Sequence, residues 1–200
     1  MCNLYRMTKS QAEIADLFRV DTPTALNTAE EIYPGYPGMV IADGALHAMV
    51  WGFPLVLKSK KTGEPLKPKP VNNTRTDKLD SFMWRYSFAE RRCLIPLTAW
   101  AEAEGPKGKK TRTWLSLPDT DVFAVAGIWR SSDEWGDCYS MIMTDAAGEA
   151  AEIHDRMPVI LEGEARETWQ DGTLEDARAL CTGYTGDVVI EKTEQLWVRR

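Results

Sequence analysis

Val122-Phe123-Ala124-Val125-Ala126-Gly127-Ile128-Trp129 is the stretch on which the fold of this 200-residue chain turns. It is eight residues long, nearly all apolar and bounded by turn residues, so it reads as a buried strand rather than a helix. Arg92-Cys93-Leu94-Ile95-Pro96 on one side and Cys138 to Thr144 on the other read the same way. Between and around them lie Leu97 to Ala103 and Thr111 to Leu117. Gly105-Pro106-Lys107-Gly108, Pro118-Asp119 and Glu134 to Asp137 supply the turns. Upstream, Val40-Ile41, a turn at Asp43-Gly44, and Leu46 to Trp51 form a hairpin pattern, and a last strand falls near Val188 to Val198.

Working outward, Ile14, Leu17 and Phe18 recur at helical spacing behind a capping-box pattern at Thr8-Lys9-Ser10-Gln11, which predicts a helix near 9–19. Leu79, Phe82, Met83 and Tyr86, at i, i+3, i+4 and i+7, predict a second helix with one apolar face. Shorter helical patches fit Ala146 to Ile153, Glu164 to Trp169 and Thr173 to Leu180. Residues 33–38, with two prolines and two glycines, and residues 58–70, with interleaved Lys, Gly and Pro, read as turn and loop. Strands outnumber helices and do not alternate regularly with them. The expected fold is therefore α+β: a single domain with a mainly antiparallel, barrel-like sheet and flanking helices.

Composition excludes the disordered, collagenous and coiled-coil classes, since 44% of residues are hydrophobic and 27% charged. The absence of a long apolar run or a secretory signal leads to the expectation of a soluble, cytoplasmic monomer without membrane contact. The net charge of −6 at first argues against nucleic acid. Its distribution reverses that inference. Residues 56–112 hold 14 basic and 6 acidic residues, a local +8 against −14 elsewhere, and so present a candidate anion-binding face.

Few side chains here can carry chemistry. The four cysteines, Cys2, Cys93, Cys138 and Cys181, are dispersed, with no C-x-x-C spacing, so no zinc site is expected. Cys93 and Cys138 read as small buried hydrophobes. Cys2 is different, because removal of Met1 leaves it as a 1,2-aminothiol. Its amine would form a Schiff base with an aldehyde and its thiol would close a thiazolidine ring. Amine and thiol normally titrate near 7.7–8.0 and 8.5, close enough to neutrality to leave a reactive fraction. Of the two histidines, His47 reads as structural. His154 lies between a helical patch and an apolar strand, where it reads either as a proton shuttle or as a helix-terminal residue. Glu102 ends an apolar stretch and is a candidate acid or base, with a surface carboxylate as the bland alternative. Asn73 is a candidate to orient a carbonyl or simply a turn residue. Arg75 is a candidate to grip phosphate. Trp51 and Phe53, in Trp51-Gly52-Phe53-Pro54, are read either as core or as base-stacking residues.

In this order the motifs resemble the SOS response-associated peptidase family, also called abasic-site processing proteins. The resemblance runs through Met1-Cys2, Trp51-Gly52-Phe53-Pro54, Asn73-Thr74-Arg75-Thr76-Asp77, Arg91-Arg92-Cys93-Leu94-Ile95-Pro96, Glu102, Ala126-Gly127-Ile128-Trp129 and His154-Asp155-Arg156-Met157-Pro158. It implies a single domain over residues 2–200 that binds single-stranded DNA. That domain would capture the ring-opened aldehyde of an abasic site on Cys2 as a thiazolidine. By that resemblance Asn73 positions the reacting group, Glu102 handles the proton on the amine and Schiff base, and His154 protonates the deoxyribose ring oxygen. Arg75 holds a phosphate, with Arg85, Trp51 and Phe53 assigned to further DNA contact, and neither cofactor nor metal is called for. Abasic-site lyase chemistry and a peptidase activity on Met1 accompany the family. In place of the usual Gly-Arg-Phe or Gly-Arg-Tyr after the cysteine stands Asn3-Leu4-Tyr5. Two other readings fit the same residues: a cysteine or N-terminal-nucleophile peptidase using Cys2, and a noncatalytic single-stranded-DNA-binding module.

Overall fold

The computed structural model describes residues 2–22 and 25–198. Five strands close into a barrel. In ring order they are Pro37–Ala42, Ala45–Trp51, Gly136–Asp145, Phe123–Ser132 and Arg92–Leu97, the last pairing back onto the first. Neighbours run antiparallel, with Val40 opposite His47, Ile128 opposite Ser140, Val125 opposite Ile95 and Ile41 opposite Leu94. One junction is parallel, where Val50 meets Cys138. The apolar runs that announced these strands are buried along most of their length. A one-sided sheet would have alternated, but here the barrel interior takes one face while a second sheet and short helices cover the other.

The second sheet has the order Val189–Leu196, Thr111–Ser116, Ala99–Glu104, Tyr5–Arg6, Glu31–Ile32. Its importance is positional, because it lays the amino-terminal arm antiparallel to Ala99–Glu104, with Tyr5 opposite Trp100 and the Leu4 carbonyl accepting from Ala101 N–H at 2.9 Å. The arm meets the barrel where the Tyr5 and Tyr139 hydroxyls lie 2.5 Å apart. Gly38 permits that meeting: a Cβ there would stand 2.1 Å from the Tyr5 hydroxyl and 2.3 Å from that of Tyr139. Gly52 is required for a different reason. Its φ of +125° suits only glycine, and a Cβ would sit 2.4 Å from Pro70 Cβ.

The first helix, Gln11–Phe18, lies where expected, but its cap is Ser10 with Glu13, two residues on from the pattern read at Thr8. Residues 79–86 differ more. After a 3-10 turn at Thr76–Lys78 the chain forms turns, and the helix begins only at Arg85, running Arg85–Glu90. The four apolar residues therefore never share a helical face: Leu79 is buried, whereas Phe82 is 82% and Tyr86 65% exposed. The patch at 146–153 is a 3-10 helix, Gly148–Glu152. Most of 58–70 is irregular as expected, with Lys69–Val71 pairing Phe53–Leu55. His47 is structural, its Nε2 lying 3.2 Å from the Ala42 carbonyl across the hairpin. No helix among the described residues is long and apolar enough to cross a membrane.

Arg92 joins two helices to the barrel. Its guanidinium donates to Phe88 O, Ala89 O, Trp169 O, Gln170 O and Gly172 O, carbonyls at the ends of Arg85–Glu90 and Ala165–Asp171. A rigid fork with five donors suits this task, whereas a lysine supplies one point charge. Arg92→Ala is expected to lower stability by roughly 2–3 kcal/mol, about 5–10 °C in Tm. Arg92→Lys is expected to recover only part of it, as thermal unfolding followed by circular dichroism will show.

Candidate active site

The arm that pairs with Ala99–Glu104 carries Cys2 towards Glu102, and Cys2 is fully buried. Its thiol donates to the Leu4 carbonyl at 3.3 Å. Across from it, the strand Asn73–Arg75 runs parallel to the barrel strand, with Asn73 opposite Met141. Asn73 Nδ2 donates to the Cys2 carbonyl at 2.6 Å. Asn72 Nδ2 donates to the same carbonyl at 3.1 Å and to Asn3 Oδ1 at 3.2 Å. Consecutive residues of a regular strand point to opposite faces. Both amides reach one carbonyl because Asn72 lies in a break between strands Lys69–Val71 and Asn73–Arg75, its own carbonyl held by Met141 N–H and by Trp51 Nε1.

Glu102 is only 3% exposed. Burial pushes its carboxyl up to about 7. His154 follows the 3-10 helix Gly148–Glu152 and brings Nε2 to 3.9 Å from Glu102 Oε2. Burial holds this imidazole below its usual range. Arg156 N–H donates to Nδ1 at 3.0 Å, which suits the neutral ring with its proton on Nε2, facing Glu102. Asp155 Oδ1 stands 2.8 Å from Nδ1 and suits the imidazolium. The pair can thus hold one proton in either of two places near neutral pH.

The Cys2 thiol departs from the sequence expectation. Burial, reinforced by Glu102, pushes it well above the ordinary thiol range, so it is a neutral S–H at rest. The expected reactive thiolate fraction is absent; a base must take the proton. A cavity of about 760 Å³ opens beside this cluster, lined by Asn3, Glu102 and His154 on one side.

Cys2, Asn73, Glu102 and His154 thus converge although up to 152 positions separate them. The family model for SRAP, the SOS response associated peptidases, matches residues 1–194. This chain belongs to the SRAP family. The abasic site processing protein of Saccharomyces cerevisiae is 30% identical over 132 residues, covering 64% of this chain and 35% of that longer protein. Abasic site processing protein YoqW of Bacillus subtilis is 28% identical over 186 residues, 84% of this chain and 80% of YoqW. Crystal structures of proteins from Bordetella bronchiseptica and Bacteroides thetaiotaomicron share the fold. The first has a TM-score of 0.76 at 22% identity, covering 96% of this chain and 99% of that one. The second has 0.75 at 18%, covering 94% and 91%.

Other assignments lie farther from the SRAP cluster. Arg75 is on the strand face of Asn73, two residues on, but its guanidinium is paired with Asp77 at 2.8 and 2.9 Å. Arg85 is exposed and lies over the rings of Phe82 (5.6 Å) and Tyr86 (4.9 Å). Trp51 and Phe53 require correction as stacking residues. Both are fully buried, Trp51 between Tyr5 and Tyr139 and Phe53 against Trp84, so neither ring presents a face to a base. They flank Gly52, where the strand Ala45–Trp51 gives way to Phe53–Leu55. Met1, whose removal the sequence reading expects, lies outside the described residues. Sequence reasoning missed Asn72, whose only signal is its place beside Asn73.

Proposed function

We propose that this protein processes abasic sites by covalent capture of their aldehyde on Cys2 in single-stranded DNA. The observation that carries the reading is the convergence of the Cys2 carbonyl, held by Asn73 at 2.6 Å, with a buried Glu102 whose partner His154 lies 3.9 Å away. The SRAP match and the names of the relatives in yeast and Bacillus support the substrate class.

The closed sugar must open first. The Nε2–H of His154 is the proton source for its ring oxygen, and Glu102 restores the proton. The amine of mature Cys2, free once Met1 is removed, then attacks the aldehyde carbon. Glu102, titrating near 7, carries a proton from that nitrogen to the departing hydroxyl, so one water leaves and an imine remains. The thiol sulfur adds to the imine carbon as Glu102 takes its proton, and that proton ends on the ring nitrogen. The balance is aldehyde plus aminothiol giving thiazolidine plus water. Elimination of the 3′ phosphate from the same imine accounts for a minor lyase branch.

The raised thiol also weighs against a cysteine peptidase as the main activity, because such enzymes lower the thiol pKa with an adjacent imidazolium. Here the thiol donates to a backbone carbonyl. For DNA contact, exposed Phe82 and Tyr86 with Arg85 supply rings and a cation suited to bases and phosphate. Arg75 would exchange Asp77 for a phosphate.

The test is incubation of the mature chain with a single-stranded oligonucleotide bearing one abasic site. The expected product survives denaturation without borohydride, and its mass equals the two reactants less one water. An adduct seen only after borohydride reduction would overturn the proposal. Asn72→Ala is expected to slow adduct formation about tenfold, by loosening the Cys2 carbonyl. Single-turnover kinetics on denaturing gels will measure it.

A further inference from the structure

The cavity beside Glu102 and His154 has a second wall that the chemistry at Cys2 leaves unused. It consists of Lys107, Gly108 and Lys110 from the turn after Ala99–Glu104, and Leu196, Trp197 and Val198 at the end of the strand Val189–Leu196. These two segments are tied together by Trp197 N–H donating to the Lys110 carbonyl at 2.8 Å. Trp197 is partly buried against Leu4, Tyr33, Ala99, Ala101 and Trp114 and also lines the cavity. Leu196 and Val198 beside it are 63% and 53% exposed.

We infer that this wall holds a nucleotide adjoining the abasic sugar, its base against Trp197 and its phosphate at Lys107 and Lys110. The inference rests on the function proposed above and names a subsite for the same strand. Charge supports it first. Lys110 spends one of its three donors on the Ala103 carbonyl at 3.1 Å and, among the described residues, keeps two. Its positive charge reaches both Glu102 and His154, so an anion held there would lie within range of the reacting groups. Glu104, at the end of the strand that leads into this turn, is engaged by Thr113 and by Lys192 at 3.4 Å, and Glu102, the carboxylate that lines the cavity, carries its proton up to about pH 7. Shape supports it second. About 760 Å³ falls within the range of small-ligand sites and exceeds what one sugar needs. Aromatic ring, paired cations and apolar flank together match a base and its phosphate, and match neither a peptide acid nor a lipid chain as well.

The test uses the full chain and an oligonucleotide carrying a tetrahydrofuran abasic analogue, which has no aldehyde and reports binding alone, read by fluorescence anisotropy. Trp197→Ala is expected to weaken binding roughly tenfold, and Trp197→Phe to keep most of the affinity. Lys107→Ala with Lys110→Ala is expected to weaken it by a similar factor. The dependence of log K on log salt should also flatten by about 0.7 for each phosphate that is no longer neutralised. Wild-type affinity and slope in both the Trp197→Ala and the double-lysine variants would overturn the subsite while leaving covalent capture intact. Should Trp197→Ala fail to fold, the lysine pair decides alone by its affinity and salt slope. Failure of the unsubstituted chain to bind the analogue would overturn both readings.

Discussion

Cys2→Ala is expected to abolish the denaturation-resistant adduct, a loss on the order of 10³-fold or more in rate. The physical reason is specific to the ring-closing step. An alanine at position 2 still leaves a free amine once Met1 is removed, and that amine can still attack an aldehyde. The imine it forms has no sulfur to close on it, so it hydrolyses or eliminates. Borohydride should therefore trap Cys2→Ala on abasic DNA while denaturation alone does not. Cys2→Ser separates the roles further, because oxygen closes a less stable ring and should give an adduct that reverses rapidly. Adduct formation by Cys2→Ala equal to wild type, without reductant, would refute the assignment. Asn73 and Asn72 hold the carbonyl of residue 2 whatever its side chain, so both substitutions test sulfur rather than position.

Glu102→Gln is the second large effect. Loss of a positioned proton carrier is expected to slow crosslinking by roughly 10²–10⁴-fold. The wild-type rate should rise with pH through about 7, as Glu102 loses its proton and becomes able to accept one. In Glu102→Gln that inflection should vanish, leaving only the rise that belongs to the amine. Stability should move the opposite way. Burial raises this carboxyl from its ordinary 4.5 to about 7, so the native state holds the proton more tightly than the unfolded chain. The favourable contribution is complete below about 4.5 and is lost as pH rises through 7, at a total of about 3 kcal/mol. Glu102→Gln should consequently be more stable than wild type above pH 7, by up to that amount, with little difference in acid. Thermal unfolding across pH checks the sign. A lower Tm for Glu102→Gln at pH 8 would show that the buried carboxylate is not a stability cost.

The strands at 92–97, 123–132 and 136–145 were legible because a strand buried on both faces must be apolar almost throughout, and that pattern is local. The hairpin from Val40 to Trp51 was legible because Asp43-Gly44 supplies a backbone conformation that few other pairs accept, although its first strand begins at Pro37, inside the stretch read as turn. The 79–86 segment misled for a related reason. Its spacing satisfies a helix, yet the chain turns before Arg85, and Phe82 and Tyr86 are left outside. Trp51 and Phe53 carried two readings in sequence, core and surface, and only the path at Gly52 chose between them.

By itself, then, the sequence determined an α+β barrel-like chain with one aminothiol at its start and the residue types that could serve it. Barrel closure, the pairing of Leu4 with Ala101 and the break at Asn72 decided the rest. They alone bring Cys2, Asn73, Glu102 and His154 together and bury Glu102 deeply enough to titrate near 7. Side-chain patterning is written by neighbours a few residues apart, whereas proximity and desolvation depend on which distant strands meet. A carboxylate becomes a neutral-pH proton carrier only where the folded chain has removed its water.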